Sequence, residues 1–320
     1  MTTERAIVFG LGAMHPTVEQ ALAAKFELHR DSELGLEDAI ARYGPQARAL
    51  ITRGRNRVGA EFMSRFPHIE LIANFGVGYD SIDVPAATAR GIIVTNTPNV
   101  LDGEMGDFTL ALLLATVRRL PQADRYLRDG LWSQHHDFPL SASLRERTIG
   151  IAGLGRIGKV VARRLEGFDL PIAYFGRHAQ PEVLYRFYSD LRELARSVDT
   201  LIVTLPGGAY TARIVNRDVL DSLGPQGILI NVARGSVVDQ PALIEALRTG
   251  AILAAGLDVY QDEPNVPPEL LALDNAVLLP HIGTATSLTR QRMGELLVAN
   301  VVSWFTRKVA VTPVNTIAAP

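Results

Sequence analysis

Short apolar runs alternate with amphipathic stretches along most of the chain. The runs at 6–9, 49–51, 71–73, 92–94, 149–152, 201–203, 227–230 and 276–279 read as buried strands. Helical spacing of apolar positions marks 18–25, 157–165, 240–247 and 288–305. Apolar, β-branched strands separated by amphipathic helices predict parallel sheets with helices on both faces, an α/β architecture. No internal repeat and no low-complexity tract interrupts the pattern.

Two boundaries stand out. Residues 101–120 form a long helical pattern, opened by the turn Asn96-Thr97-Pro98-Asn99. The stretch 121–147 that follows is polar, rich in Arg, His and Asp, and poor in strand signals, as expected of a linker or an arm reaching to another subunit. A second long helix, 287–305, follows the loop His281-Ile282-Gly283. Two long helices flanking one α/β unit predict that this unit is inserted into another, so the first domain is discontinuous.

Composition narrows the class. The chain has 320 residues, 47% hydrophobic and 21% charged, which suits two globular domains of roughly 150 residues each. Its 32 Lys and Arg against 34 Asp and Glu give a net charge of −2, so no basic field invites a nucleic acid. The count of Cys is 0, which excludes disulfides, thiolate metal sites and cysteine nucleophiles. The apolar stretch 6–14 lacks a small-residue cleavage pattern and is broken by His15-Pro16, so it reads as a strand and turn and not as a signal core. No apolar run reaches the ~18 residues needed to span a bilayer. The expectation is a soluble, cytoplasmic protein with neither membrane nor nucleic-acid partner.

The strongest local signal is Ile149-Gly150-Ile151-Ala152-Gly153-Leu154-Gly155-Arg156-Ile157-Gly158, a strand running through G-x-G-x-x-G into a helix. Gly153 permits the tight turn, Gly155 lets backbone approach a diphosphate, and Gly158 allows close helix–strand contact. The helix start offers free N–H groups and a positive dipole end to the anion. The similar Gly10-Leu11-Gly12 has His15 at the third position and reads as a plain strand-to-helix turn. The strand after the cradle, 171–175, ends in Gly176-Arg177-His178, with no acid until Glu182. Absence of a carboxylate there removes repulsion against a 2′-phosphate, and Arg177 can pair with one, so NADP is expected over NAD.

Three polar residues follow later strands: Arg234, Glu263 and His281. Carboxyl ends of successive strands meet around the ligand crevice of such sheets, so the three are candidates to converge. An arginine fork suits a carboxylate substrate, and a histidine backed by a glutamate suits a general acid. Each residue taken singly is more often a surface charge or a structural histidine. No H-x-x-x-H or H-E-x-x-H occurs, so no metal is expected, and no G-x-S-x-G elbow supports a serine nucleophile.

With these residues the chain resembles the D-isomer-specific 2-hydroxyacid dehydrogenase family over nearly its whole length. The likeness is carried by Asn74-Phe75-Gly76-Val77-Gly78-Tyr79-Asp80-Ser81-Ile82-Asp83, residues 91–99, the glycine turn at 153–158, Asn231-Val232-Ala233-Arg234-Gly235, Gly256-Leu257-Asp258-Val259-Tyr260 leading to Asp262-Glu263-Pro264, and Pro280-His281-Ile282-Gly283. Tyr174-Phe175-Gly176-Arg177 and Leu278-Leu279-Pro280-His281 look most like the glyoxylate/hydroxypyruvate reductases and their hydroxyphenylpyruvate-reducing relatives.

The resemblance implies a Rossmann cofactor domain at 99–286, with a dimer arm near 121–147, inserted into a flavodoxin-like substrate domain of 1–98 and 287–320. It implies reduction of a small 2-oxoacid in the domain cleft by a homodimer using NADPH, with NADH as a weaker alternative. Arg234 would bind and polarise the 2-oxoacid, His281 would protonate its carbonyl oxygen, and Glu263 would orient His281. Backbone N–H groups of Val77 and Gly78 would hold the substrate carboxylate, and Trp132 of the arm would help set substrate size. Gly153, Leu154, Gly155, Arg156, Ile157 and Gly158 would hold the diphosphate, and Gly176, Arg177 and His178 the 2′-phosphate. Thr204, Leu205 and Pro206 would pass along the cofactor, with Val232, Asp258 and Gly283 near the nicotinamide. Two positions depart from the family: Asp102 stands where threonine is usual, and Gly176 where NADP-type members often have serine. Bulkier aryl 2-oxoacids, and a cofactor-sensing corepressor on the same scaffold, are the competing readings.

Overall fold

The computed structural model describes residues 5–54 and 56–317. The outermost residues of the expected substrate domain, 1–4 and 318–320, lie outside these. The chain divides into two compact units, one of the residues up to Leu101 and from Ala285 onward, the other Asp102–Thr284.

The first unit holds a parallel sheet of five strands, β1 Ile7–Gly10, β2 Glu27–Arg30, β3 Ala47–Arg53, β4 Leu71–Phe75 and β5 Ile93–Thr95. Their order, β2-β1-β3-β4-β5, is that of a flavodoxin-like doubly wound sheet. Alternate side chains feed two cores. Phe9, Leu50, Ile72 and Val94 pack to one side with Met63 and Phe66. Val8, Ile51, Leu71 and Ala73 pack to the other with Val18, Leu22, Leu297, Val301 and Trp304. The helices Pro16–Ala23 and Ser287–Arg307 approach closely because Gly294 has no side chain; a Cβ there would stand 2.5 Å from a Val18 methyl.

The second unit holds a seven-stranded parallel sheet, β6 Ile149–Ala152, β7 Ile172–Phe175, β8 Arg186–Tyr188, β9 Thr200–Val203, β10 Ile228–Asn231, β11 Ala254–Leu257 and β12 Ala276–Leu278. The order β12-β11-β10-β9-β6-β7-β8 is the Rossmann arrangement with one added edge strand, and its direction reverses between β6 and β9. Strands β6, β9, β10 and β11 are buried along their whole length, which explains their unbroken apolar runs. The helix Asp102–Val117 crosses β11 at Gly256, where a Cβ would meet Thr116 Oγ1 at 2.4 Å.

Three readings of the pattern need correction. The 101–120 stretch is not one helix: it stops at Val117, Arg119 turns left-handed (φ 53°), and a new helix runs Leu120–Arg128. Pro121 is the cause, since a proline inside a continuous helix would lose a hydrogen bond and clash with the preceding turn. The stretch 121–147, read only as polar and poor in strand signals, carries helix at its start, because this helix is followed by another, Leu131–His135. Strands β2 and β8 are absent from the pattern because they are short, partly exposed edges with polar residues. Among the described residues no helix is long and apolar enough to cross a membrane.

Candidate active site

The glycine turn lies at the carboxyl end of β6, beside the point where strand order reverses. Gly153 has φ +101°, and a Cβ on it would press within 3.0 Å of the Leu205 backbone nitrogen. Gly158 touches the turn itself, where a Cβ would fall 2.3 Å from Gly153 O. Thr204 Oγ1 donates to Gly153 O at 2.6 Å, tying the end of β9 to the turn. A Cβ on Gly155 would meet no atom within 4 Å, so the space before the helix Arg156–Leu165 is open for a ligand. Close packing behind and room in front fit a nucleotide diphosphate. Leu154 is buried behind the turn, and Gln180 Nε2 donates to its carbonyl at 2.9 Å. No sequence signal singled out Gln180.

Past β7, Gly176 is half-buried, while Arg177 and His178 are exposed. Glu182, the first acid downstream, pairs with Lys159 at 2.8 Å. The position where an NAD-type carboxylate would stand is therefore Gly176, and a Cβ added there would find its nearest neighbour, His178 O, only at 3.8 Å.

Arg234, Glu263 and His281 follow β10, β11 and β12, which are adjacent and in register, Asn231 with Leu257 and Leu257 with Leu278. Asn231 shapes the first turn, accepting from Ala233 N and donating to Arg234 O, both at 3.1 Å. Gly235 then lies directly on the second turn: a Cβ would sit 1.9 Å from the Tyr260 carbonyl carbon. This contact sets the Arg234 turn against the segment that carries Glu263.

His281 Nδ1 lies 2.6 Å from Glu263 Oε2. A carboxylate only accepts, so Nδ1 is the donor and Nε2 is left for chemistry. Glu263 Oε1 accepts from Tyr260 N at 3.2 Å, which fixes the carboxylate plane. His281 has φ 55°, an uncommon conformation for a side-chain-bearing residue and one that surroundings must enforce. Asp258 does so from below, accepting from Ile282 N at 2.7 Å and Gly283 N at 2.9 Å. Tyr260 adds a hydrogen bond from its hydroxyl to Leu279 O at 2.9 Å. Burial pushes the Asp258 carboxyl above its ordinary value, against those two N–H groups and the nearby His281. Burial likewise raises the Tyr260 hydroxyl. Val232 is buried between the turns, and Pro206 is exposed beyond Leu205. The bracing by Asn231 and Tyr260 was hidden in the sequence, because each is an ordinary polar residue within a motif named for its neighbours.

In the first unit, the loop after β4 is held by its carbonyls. Asn74 Nδ2 donates to Gly76 O and Gly78 O, at 3.2 and 2.9 Å, and Asn96 Nδ2 donates to Val77 O at 2.8 Å. Among the described residues, the Val77 and Gly78 N–H groups have no acceptor, so the loop presents a fixed donor pair suited to a carboxylate. Trp132, on the helix Leu131–His135, is 57% exposed and so is no core residue of a single chain. Among the described residues, no group of three or more His, Asp or Glu side chains is placed to hold a metal ion.

The sheet order, the glycine turn and the braced His–Glu pair together define a nicotinamide-dependent dehydrogenase scaffold. Residues 110–283 match the NAD binding domain of the D-isomer specific 2-hydroxyacid dehydrogenases, and the chain belongs to that family. It is 41% identical over 302 residues to a hydroxyphenylpyruvate reductase of Plectranthus scutellarioides, covering 94% of this chain and 96% of that one. A 2-ketogluconate reductase of Gluconobacter oxydans is 40% identical over 299 residues, 93% of this chain and 95% of the relative. Among solved structures, the NADPH-dependent glyoxylate/hydroxypyruvate reductase of Sinorhizobium meliloti, in complex with NADP and malonate, is 46% identical, with a TM-score of 0.91 and 97% of each chain covered.

Proposed function

We propose that this chain reduces a small 2-oxoacid, glyoxylate or hydroxypyruvate, to the D-2-hydroxyacid with NADPH, NADH being the weaker donor. The observation that carries this reading is the 2.6 Å His281–Glu263 pair, on the strand next to the Arg234 turn and in the same sheet as the glycine cradle. When bound, NADPH supplies the hydride that reduces the carbonyl carbon. Gly153 through Gly158 hold its diphosphate, and Gly176, Arg177 and His178 receive the 2′-phosphate. Thr204, Leu205, Pro206, Val232, Asp258 and Gly283 flank the remainder.

His281 delivers the proton from Nε2 to the carbonyl oxygen, and Glu263 compensates the imidazolium charge beforehand. Arg234 draws electron density toward that oxygen and pairs with the substrate carboxylate. The Val77 and Gly78 N–H groups hold the carboxylate as well. The same reading makes the chain a cytoplasmic protein and a homodimer, the latter supported by exposed Leu127, Trp132 and Leu140 along the arm. Trp132 then limits substrate size.

The test is NADPH oxidation across a panel of glyoxylate, hydroxypyruvate, hydroxyphenylpyruvate and 2-ketogluconate, compared by kcat/KM, with chiral analysis of the product. The expected ranking places the two small acids first and yields only the D-product. A preference for 2-ketogluconate or hydroxyphenylpyruvate overturns the substrate assignment, and tight cofactor binding without turnover favours a sensor over an enzyme.

A further inference from the structure

Asp102 opens the helix Asp102–Val117, and its Oδ2 lies 3.4 Å from Nε of Arg156, the first residue of the helix that follows the glycine turn. The residue is 8% exposed, and its Oδ1 has no hydrogen-bond partner among the described residues. A nearly buried carboxylate thus stands at the diphosphate cradle with one cation facing it. Among the described residues, several charged groups on the elements packed against this helix have partners of their own. On the Arg156–Leu165 helix, Lys159 pairs with Glu182, and Arg164 with Asp107 and Gly103 O. On the Leu120–Arg128 helix, Asp124 pairs with Arg128. Strands β10, β11 and β12 carry no charged residue. Beyond their ends, Asp258 holds the Ile282 and Gly283 N–H groups, and Glu263 holds His281. Glu104, half-buried, is a further acid on the same helix.

A diphosphate held at this helix start brings negative charge beside a carboxylate that has little water to screen it. It also competes for Arg156, the one cation paired with this carboxylate among the described residues. We infer that Asp102 sets cofactor affinity by contesting Arg156 with the diphosphate, so that binding of the nucleotide draws one proton onto the Asp102 carboxyl. The inference rests on reading the glycine turn as an NADP(H) cradle. Burial already pushes the Asp102 carboxyl above its ordinary value, against the opposing pull of Arg156. A further negative neighbour moves it the same way. By linkage, affinity then falls as pH rises, by up to about tenfold per pH unit in the window where the proton is taken up.

The decisive measurement is the dissociation constant of NADH and of NADPH from pH 5 to 9, read by nucleotide fluorescence, with calorimetry in two buffers of different ionisation heat. NADH lacks the 2′-phosphate, so titration of that phosphate does not contribute to its profile. The wild-type chain is expected to bind NADH more weakly with rising pH and to take up at most one proton on binding, with the amount depending on pH. Asp102→Asn is expected to remove both effects and to bind NADH about tenfold tighter at pH 8, the size of one pH unit of linkage. An unchanged pH profile in Asp102→Asn, even with altered thermal stability, overturns the inference and leaves Asp102 a helix-opening residue. If that variant does not fold, absence of proton uptake in the wild-type chain overturns it equally. Failure of the wild-type chain to bind either nucleotide overturns the cofactor reading itself, a result distinct from these.

Discussion

His281 Nδ1 and Glu263 Oε2 meet at 2.6 Å although 18 residues separate them, because each follows one of two neighbouring strands in register. The pair gives the histidine a fixed tautomer and a directed Nε2. Replacing His281 with Ala is expected to lower kcat by on the order of 10²–10⁴, the range for a positioned general acid. Glu263→Gln is expected to lower kcat by about 10²-fold, because an amide cannot compensate the imidazolium. NADPH affinity, measured by direct titration, should stay within a factor of about two in both, since neither residue is assigned to the nucleotide. Near-normal turnover in folded His281→Ala would remove this residue from the chemistry.

Arg234 offers a planar fork that matches the carboxylate and carbonyl of a 2-oxoacid, which an ammonium cannot reproduce. Arg234→Lys is expected to reduce kcat/KM by at least about 10²-fold with little change in NADPH dissociation constant. A collapse of cofactor affinity with an unmoved substrate KM would place Arg234 in the other half of the site.

The turn that carries Arg234 has no room for a side chain at its next position. A Cβ on Gly235 would stand 1.9 Å from Tyr260 O as well as from its carbonyl carbon, so backbone must move. Gly235→Ala is expected to cost about 3 kcal/mol or more, read as a fall in thermal midpoint together with loss of activity. A variant with wild-type stability and turnover would mean that the two turns are not in direct contact.

How far the pattern of residues reveals this molecule depends on where each contact is made. Strands β6, β9 and β10 are legible because both their faces are buried and nearly every position is apolar or small. The glycine turn is legible because Gly153 and Gly158 lie where a Cβ would press on backbone, while Gly155 keeps the ligand side of the turn open. Strands β2 and β8 are not, since an edge strand is held by backbone hydrogen bonds that leave no mark on side-chain choice. The arm's helices are obscured by Pro121 and a polar composition that also suits a loop. Most of all, the bracing of His281 by Asp258 and the siting of Asp102 against Arg156 join residues 23 and 54 apart in sequence, and no spacing rule relates them.

In the first unit, Glu70 gathers three partners from distant segments. Arg48 Nε donates to Oε1 at 2.8 Å, Trp304 Nε1 donates to Oε2 at 3.2 Å, and Lys308 Nζ also donates to Oε2. Burial alone would raise this carboxyl, but the hydrogen bonds and charges of Lys308 and Arg48 outweigh it and hold it below its ordinary value. A carboxyl depressed in the folded state stabilises above its unfolded value of about 4.3, and that contribution is lost as pH falls through the folded value. Since Arg48 and Lys308 are half in solvent, the network is expected to contribute about 1 kcal/mol, so Glu70→Gln should lower the thermal midpoint at pH 7 by roughly 2–4 °C. The gap between variant and wild type should narrow as pH falls below the unfolded value and close once it passes the depressed folded value, where the wild-type carboxyl is protonated too. A gap that persists unchanged at pH 3 would assign the loss to packing and not to charge.

The cofactor preference tests the most exposed part of the site. An NAD-type enzyme needs a carboxylate at the end of β7 to accept from the ribose hydroxyls, and Gly176 occupies that place. The nearest acid downstream, Glu182, is already paired with Lys159, so nothing negative opposes a 2′-phosphate. Arg177 is the adjacent cation, and its fork can take two phosphate oxygens. One charge-assisted contact contributes roughly 1.5–3 kcal/mol, or one to two factors of ten in affinity. Arg177→Ala is therefore expected to raise the NADPH KM by about 10- to 100-fold while leaving the NADH KM nearly unchanged. A Cβ at Gly176 is accepted without backbone movement, since it would have no neighbour closer than 3.8 Å. The double change Gly176→Asp with Arg177→Ala should then invert the ratio of kcat/KM in favour of NADH. Equal use of both nucleotides by the wild-type enzyme, or an NADPH KM that ignores Arg177→Ala, would sink this assignment.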